Sequence, residues 1–203
     1  NQRSIAWAIA QALDQAGARL VLTYQNERLL ENVEKLAGSL SSRPLLMECD
    51  VSEDANVEAM FHRLGGELGH IEVLIHSIAF ADKDDLGGRF VDTKREGFRV
   101  ALDTSAYSLV SLVRNGAPLM AENGGSILTL TFQASSRVFH GYNIMGTAKA
   151  ALENEVRQLA WDLGRDGIRV NAVSAGPLDT LSSRVISKYK DMKRVHAERS
   201  PLG

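Results

Sequence analysis

A tyrosine and a lysine stand seven residues apart in the stretch "YNIMGTAK", at Tyr142 and Lys149. In a helix, seven residues make almost two turns, so both side chains would project from one face, about 10 Å apart along the axis. An ammonium near a phenol favours the phenolate, lowers the phenol pKa and makes it a better proton donor to a developing oxyanion. The spacing alone is more typical of a packed tyrosine and a surface lysine.

Gly146 lies between these two residues, inside a helix predicted over residues 142–164. A helix interior penalises glycine by about 1 kcal/mol relative to alanine, so this glycine indicates that another group approaches closely. The buried stripe of the helix is predicted at Ala148, Leu152, Val156, Leu159 and Leu163.

The elements that would position this helix alternate between short apolar runs and longer segments of helical period. Strands are predicted at 18–24, 44–51, 71–81, 125–132 and 168–175. Helices are predicted at 4–16, 27–40, 53–68, 94–121 and 142–164. This alternation is typical of a doubly wound α/β fold with a parallel sheet, whose ligands bind beyond the carboxyl ends of the strands.

Composition narrows the class of protein. At 203 residues and 44% hydrophobic, the chain predicts one domain over residues 1–203. The balance of 23 basic against 25 acidic residues gives no basic field for nucleic acid or a membrane surface. Without a membrane-length apolar run or a second cysteine beside Cys49, we expect a soluble, cytoplasmic protein. The histidines lack cysteine partners at metal spacing, so we predict no metal and a hydrogen-bonded, structural His76.

Polar residues at the first strand ends suggest a dinucleotide. Ser4 would cap a helix whose free N–H groups suit a pyrophosphate, although an ordinary cap is the commoner meaning. Gln25 can bond a ribose diol but cannot neutralise a 2′-phosphate, which favours NADH over NADPH, while Arg28 argues the other way. Asp50 could accept the adenine amino group. Ordinary turn residues at Gln25 and Asp50 are equally weighted alternatives.

The later strand ends offer smaller residues. "HSIAFA" would let a flat cofactor lie against the backbone, and Thr180 could hydrogen-bond a carboxamide or a phosphate. Beyond them, residues 181–199 could form a lid over an apolar substrate, or a solvated helix with one packed face. The basic cluster Lys188, Lys190, Lys193 and Arg194 is usually a solvated face, but it could dock an acidic carrier protein.

Across essentially its whole length, the chain resembles the NADH-dependent enoyl-[acyl-carrier-protein] reductases, a divergent branch of the short-chain dehydrogenase/reductases. The resemblance lies in "NQRSIAW", "TYQNERL", "CDV", "HSIAFA", "SAYSLV", "YNIMGTAKAAL" and "IRVNAVSAGPL". It is specific, because ordinary members of the larger family carry Tyr and Lys four apart and an "NNAG" turn. Family chains also extend further at both ends, so we expect a sequence truncated at both ends.

The resemblance implies a Rossmann fold, assembled as a homotetramer, that reduces the trans-2 double bond of an enoyl thioester on acyl carrier protein. NADH would be the reductant, in fatty-acid elongation. Tyr142 would hydrogen-bond the thioester carbonyl, and Lys149 would hold the nicotinamide ribose. The remaining cofactor-binding residues would be Ser4, Ile5 and Ala6 at the pyrophosphate, Gln25 at the adenosine ribose, Asp50 and Val51 at the adenine, Ser77, Ile78 and Ala79 in the central bay, and Ala175, Gly176, Pro177 and Thr180 at the carboxamide.

One departure concerns Phe132, which stands at a strand end where this family normally has a second tyrosine. Phenylalanine fills the same volume but cannot donate or relay a proton. Phe132 is either a benign variant, since Tyr142 remains as the donor, or the mark of a catalytically weakened cofactor-binding subunit. A carbonyl or alcohol oxidoreductase of the wider family is a further alternative function.

Overall fold

The structure is a computed structural model that describes residues 1–180, 183 and 189–201. The chain forms two compact units, residues 1–70 (unit 1) and residues 71–203 (unit 2). Each unit contains a sheet in which all described strand pairs are parallel. Among the described residues, no helix combines the length and the apolar character needed to cross a bilayer.

Unit 1 alternates helices with two paired strands. Its elements are α1 (Ile5–Gln15), β1 (Val21–Tyr24), α2 (Leu30–Ala37), β2 (Leu45–Glu48) and α3 (Asp54–Leu68). β1 pairs with β2 in a register that sets Val21 opposite Leu45 and Tyr24 opposite Glu48. Both strands lie inside the predicted segments but are shorter, because only four residues of each take part in the ladder.

The core of unit 1 explains why its first helix forms where it does. Ser4 caps α1, since its Oγ accepts a hydrogen bond from the Trp7 N–H at 3.1 Å. Trp7 and Ala10, one turn apart, pack with Leu20 at the start of β1. Gly17 follows the helix with a φ of +84°, a left-handed conformation that glycine adopts without a steric penalty.

Asp14 fixes the far end of α1 to the loop before β2. Its carboxylate accepts hydrogen bonds from the Ser41 N–H and the Ser41 hydroxyl, both at 2.8 Å, and longer ones from Ser42. The Ser41 N–H bond is the largest influence on the pKa of Asp14, and it lowers that pKa against the opposing effect of burial. The carboxylate is therefore a structural acceptor that stays ionised.

Cys49, directly after β2, packs as the predicted small hydrophobe. It is a free, buried thiol whose pKa burial raises to about 11.

Unit 2 is built on the sheet order β3, β4, β5. Its elements are β3 (Val73–His76), α4 (Lys83–Leu86), α5 (Arg95–Leu102), α6 (Ser108–Gly116), β4 (Gly125–Thr131), α7 (Asn143–Leu163), β5 (Ile168–Ser174) and α8 (Tyr189–Arg199). β4 lies between its neighbours, with Ile127 opposite Leu74 on one side and Val170 on the other. Because all three strands run parallel, the segments that follow them begin at one edge of the sheet.

Two predicted elements of unit 2 differ from the structure in their bounds. The helix predicted at 94–121 is divided into α5 and α6 by a π turn over Asp103–Tyr107. The strand predicted at 71–81 ends at His76. The buried Ser105 of the π turn binds Phe80 twice, because its hydroxyl accepts from the Phe80 N–H and donates to the Phe80 carbonyl, both at 2.9 Å. These two hydrogen bonds join the π turn to the segment that follows β3.

Candidate active site

In unit 1, the amino end of α1 presents backbone donors. The first bonds of the helix run from the Trp7 N–H to Ser4 Oγ and from the Ala8 N–H to the Ser4 carbonyl. The N–H groups of Ile5 and Ala6 precede these bonds, so they belong to the set that a helix leaves for an external partner. Together with the helix dipole, they fit an anion. The assignment of Ser4, Ile5 and Ala6 to a pyrophosphate stays a prediction.

The ends of β1 and β2 bring Gln25 and Asp50 into contact. Gln25 Nε2 donates to Asp50 Oδ2 at 3.0 Å, and Asp50 Oδ1 accepts from the Ser52 N–H at 3.0 Å and the Ser52 hydroxyl at 2.7 Å. Burial opposes ionisation, but these hydrogen bonds outweigh it and lower the pKa of Asp50. The geometry gives Asp50 a turn-forming role. Its contact with adenine, like that of Val51, stays a prediction.

In unit 2, His76 at the end of β3 is the predicted structural histidine. It is 1% exposed, with Nδ1 at 2.7 Å from Thr129 Oγ1 and Nε2 at 2.9 Å from Ser108 Oγ. The Ser108 hydroxyl donates its one proton to the Thr104 carbonyl, so it accepts from His76, which places the ring proton on Nε2. Burial, with a smaller effect of the Lys149 charge, lowers the pKa of His76 to about 3. The ring is therefore neutral.

The described residues contain no group of three His, Cys, Asp or Glu side chains arranged to hold a metal ion. The prediction of a metal-free site stays a prediction.

Ser77, Ile78 and Ala79 follow His76 directly, at the carboxyl edge of the unit 2 sheet. The bonds from Ser105 to Phe80 fix the backbone at the end of this short segment. The role of Ser77, Ile78 and Ala79 in a central bay for a flat cofactor stays a prediction.

Tyr142 immediately precedes α7, whereas the helix was predicted to include it. Its ring lies 5.1 Å from the ring of Phe132, centroid to centroid, and packs against the cluster of Leu86, Met145 and Ala148. Burial raises the pKa of Tyr142 to about 12. The prediction that Lys149 lowers this pKa is therefore wrong, because desolvation of the phenolate dominates. The phenol is a neutral hydrogen-bond donor over the whole physiological range.

Lys149 is a buried cation, not the surface lysine that its spacing alone favours. Lys149 is 5% exposed, and its Nζ donates a hydrogen bond to the Leu130 carbonyl at 2.7 Å. Burial lowers the pKa of Lys149 to about 8, partly offset by the carboxylate of Glu153. An ammonium has three N–H donors, so two remain for ligand hydroxyls after the Leu130 bond.

Gly146 has the close neighbour that its position predicts. A Cβ built on it would lie 2.9 Å from the Ala134 carbonyl oxygen, in the 3-10 turn that follows β4. The approaching group is the protein backbone itself. Glycine therefore lets α7 lie directly against the turn beyond β4.

Phe132 follows β4 and forms an aromatic cluster with Tyr142 and with Phe139, whose ring centroid is 4.9 Å away. The cluster gives the Tyr142 ring lateral support. Without a hydroxyl, Phe132 contributes shape alone.

The segment after β5 is joined to α8. The Tyr189 hydroxyl donates to the Leu178 carbonyl, and Lys193 pairs with Asp179 at 2.5 Å. A Cβ on Gly176 would lie 3.1 Å from His196 Nε2. The roles of Ala175, Gly176, Pro177 and Thr180 at the carboxamide stay predictions.

The predicted lid over 181–199 is described only in part. Residues 181, 182 and 184–188, with them the predicted apolar positions Leu181, Val185 and Ile186 and the basic Lys188, lie outside the described residues. In the described part, Lys193 and Arg194 pair with Asp179 and Glu198, which reduces the positive charge offered to a carrier protein.

Three polar residues that the sequence did not single out lie next to Tyr142 or are linked to the helical turn after Lys149. Thr131 donates to Glu153 Oε1 at 2.7 Å, and Glu153 lies one helical turn after Lys149. Asn143 has a φ of +33° and joins the start of α7 to the loop before α5. An acid four residues after a lysine on one helix face could have indicated Glu153. No local pattern distinguishes the other two.

Known proteins match this chain over its whole length. The profile of the family described as "Enoyl-(Acyl carrier protein) reductase" matches residues 1–203. Enoyl-[acyl-carrier-protein] reductase [NADH] FabI of Bacillus cereus is 49% identical over all 203 residues, which cover 79% of that protein. The [NADPH] FabI of Staphylococcus aureus strain MRSA252 is 45% identical over the same 203 residues, again 79% of its length.

The solved structure of the Bacillus cereus reductase with NADP+ and indole naphthyridinone superposes with a TM-score of 0.96 at 49% identity. The alignment covers 100% of this chain and 79% of that one. The predicted α/β, Rossmann-type fold class is therefore confirmed.

Proposed function

Because the chain belongs to the enoyl-(acyl carrier protein) reductase family, we propose that it reduces its substrate with NADH through Tyr142 and Lys149. The chain is an oxidoreductase of fatty-acid biosynthesis that reduces an enoyl thioester carried on acyl carrier protein. The observation that carries the residue assignment is the contrast in unit 2 between a neutral phenol and a buried ammonium.

Tyr142 acts as the donor to the thioester carbonyl. When bound, the reduced nicotinamide supplies the hydride that adds to the β-carbon of the enoyl group. Negative charge then develops on the carbonyl oxygen, and a phenol with a pKa of about 12 offers its proton in a hydrogen bond without being ionised beforehand. Water supplies the proton that completes the product.

Lys149 holds the nicotinamide ribose. One N–H is used by the Leu130 carbonyl, which leaves two N–H groups of the ammonium for the hydroxyls of the ribose. Below its pKa of about 8 the group is mostly protonated, so the hydroxyls of a ribose meet charged donors. Ser77, Ile78 and Ala79 with Ala175, Gly176, Pro177 and Thr180 line the nicotinamide end.

The adenosine end favours NADH. Gln25 is neutral, and its amide nitrogen is engaged by Asp50, so its carbonyl oxygen is left for a ribose hydroxyl. A 2′-phosphate would lie near an ionised Asp50, which repels it. Ser4, Ile5 and Ala6 hold the pyrophosphate, and Asp50 and Val51 border the adenine. Relatives are named both for NADH and for NADPH, so kcat/KM of the unaltered protein with each cofactor tests the preference.

The test of the proposed function compares substrates. Purified protein should consume NADH when supplied with crotonyl or a longer trans-2-enoyl thioester, and not when supplied with simple ketones. Equal turnover of ketones or secondary alcohols would instead favour the carbonyl oxidoreductase of the wider family.

Phe132 suggests the second candidate, a cofactor-binding subunit with weakened catalysis. NADH binding without turnover would support it. The variant Phe132→Tyr then shows whether one hydroxyl is the cause: a gain in turnover with unchanged NADH binding would assign the weakness to Phe132. Phe139→Tyr, in the same aromatic cluster, is the matched control.

The resemblance also supports a cytoplasmic homotetramer. Light scattering coupled to size exclusion measures its mass in solution, and a monomer at working concentration would contradict the assembly.

A further inference from the structure

We propose that Asn143 is a positioning residue that aims the Tyr142 phenol by tying the start of α7 to the loop over residues 87–88. The proposal rests on the proposed role of Tyr142 and goes beyond it. Asn143 does not touch the reacting atoms in this role. It acts through its neighbour in the chain.

The backbone of Asn143 is the first support. Its φ of +33° is the positive value found outside glycine in the described residues. Residues with a Cβ rarely adopt this region, and asparagine does so more readily than most. Such conformations persist when surrounding contacts hold them, and they concentrate at functional sites. Asn143 directly follows Tyr142, so its backbone conformation determines how the tyrosine joins α7.

The side chain of Asn143 supplies the contacts that hold this conformation. Its Nδ2 donates to the Gly87 carbonyl at 2.8 Å and lies 3.4 Å from the Gly88 carbonyl. Gly88 itself has a φ of +69°, a left-handed conformation that glycine adopts without a steric penalty. The same loop lines a cavity of about 490 Å³. The amide therefore joins the start of α7, next to Tyr142, to the wall of that cavity.

The ring contacts of Tyr142 do not replace this bond. Phe132 and the cluster of Leu86, Met145 and Ala148 flank the ring, but apolar contacts have no directional preference that would fix the hydroxyl. The hydrogen bond from Asn143 to the Gly87 carbonyl is directional.

Two variants separate the effect of the Asn143 side-chain amide from that of its backbone conformation. Asn143→Asp has nearly the same shape and tolerates a left-handed φ, but it has no N–H donor. Asn143→Gly tolerates the backbone and has no side chain. We expect kcat with crotonyl thioester to fall about 10- to 100-fold in both, since small misplacements of a reacting group cost this much. KM for NADH and the melting temperature should stay near the wild-type values. Asn154→Asp, exposed on α7, is the matched control and should change neither.

A second readout needs neither cofactor nor substrate. In protein labelled with ¹³C at the tyrosine ζ carbon, the signal of Tyr142, assigned with Tyr142→Phe, should move in Asn143→Asp and stay in Asn154→Asp. Unchanged kcat and an unmoved signal would overturn the proposal. So would an unfolded Asn143→Gly, or a loss of NADH binding in step with turnover, because both would make Asn143 a structural residue. A wild-type protein without enoyl reduction would refute the proposed function instead, while the tyrosine signal would still test the positioning.

Discussion

The two units hold their polar residues in different ways. In unit 1, Gln25 is exposed and Asp50 is bound by near neighbours in the sequence or on the adjacent strand, and the shifted carboxyl pKa values are lowered by hydrogen bonds. At the candidate site in unit 2, burial is the largest influence: it raises the pKa of Tyr142 to about 12 and lowers those of Lys149 and His76 to about 8 and about 3.

This difference indicates a division of labour. An exposed group can exchange water for a ligand at little desolvation cost, which suits selective binding of a cofactor. A buried group has already lost its water, so its interaction with developing charge is stronger and better oriented. We therefore expect substitutions in unit 2 to change turnover and those in unit 1 to change binding or stability.

Tyr142→Phe should have the largest effect. Removal of one oxyanion donor usually costs about 10²–10³ in kcat, and the phenyl ring keeps the packing against Phe132. NADH oxidation with an enoyl thioester measures the loss, and NADH binding should be unchanged. Tyr107→Phe, at an exposed residue of the π turn, is the control. A negligible loss in Tyr142→Phe would remove the proposed catalytic role.

Gln25→Arg should change the choice of cofactor without abolishing catalysis. A guanidinium at the end of β1 would pair with a 2′-phosphate, and a charged hydrogen bond contributes about 1.5–3 kcal/mol, or roughly 10- to 100-fold. The ratio of kcat/KM for NADPH to that for NADH should rise accordingly. Gln11→Arg adds the same charge on the exposed side of α1 and should leave the ratio alone. If kcat fell with both cofactors, unit 1 would not be a pure binding region.

Glu153→Gln should shift the pH dependence of unit 2. The Glu153 carboxylate raises the pKa of Lys149 against the effect of burial, so its neutralisation lowers that pKa below about 8. The protonated amine is the active form, and the alkaline loss of kcat/KM should therefore begin at lower pH. Rates at pH 7 should change less than rates at pH 8.5. Asp162→Asn, exposed on the same helix, should keep the wild-type profile, and an identical profile in Glu153→Gln would contradict the coupling.

Asp14→Asn should leave turnover unchanged and affect the stability of unit 1. The pKa of Asp14 is lowered in the folded state, so its stabilising contribution is present above the unfolded-state pKa and lost as pH falls through the folded-state value. The urea midpoint should therefore fall at pH 7, and the difference from wild type should shrink toward pH 3. Glu58→Gln, an exposed acid on α3, should show no such pattern. A lower kcat at pH 7 would contradict the assignment of Asp14 to stability alone.

The sequence predicts the order of strands and helices because each has its own period, and the parallel pairing follows from their alternation. It also predicts the close approach at Gly146, since the penalty for glycine in a helix is local. The bonds between Ser105 and Phe80 could not be predicted in the same way, because they join residues 25 apart in the sequence.

In the candidate site, the sequence singled out Tyr142 and Lys149, but it did not predict the direction of the tyrosine pKa. Spacing along a helix shows which charges are near, whereas the pKa of a phenol depends on how much water the fold removes around it. The positive φ of Asn143 is equally hidden, because it reflects a bond to a loop more than 50 residues earlier.

The contact between Gly146 and the Ala134 carbonyl bears on attempts to make this enzyme more heat-resistant. An engineer who improves helices by replacing internal glycines would choose Gly146→Ala first, for a gain of about 1 kcal/mol. The added methyl would meet an oxygen at 2.9 Å, so either the turn or the helix that carries Lys149 would have to shift. Any gain in thermal stability from Gly146→Ala would therefore come with a displacement of Lys149 or of the turn that α7 packs against.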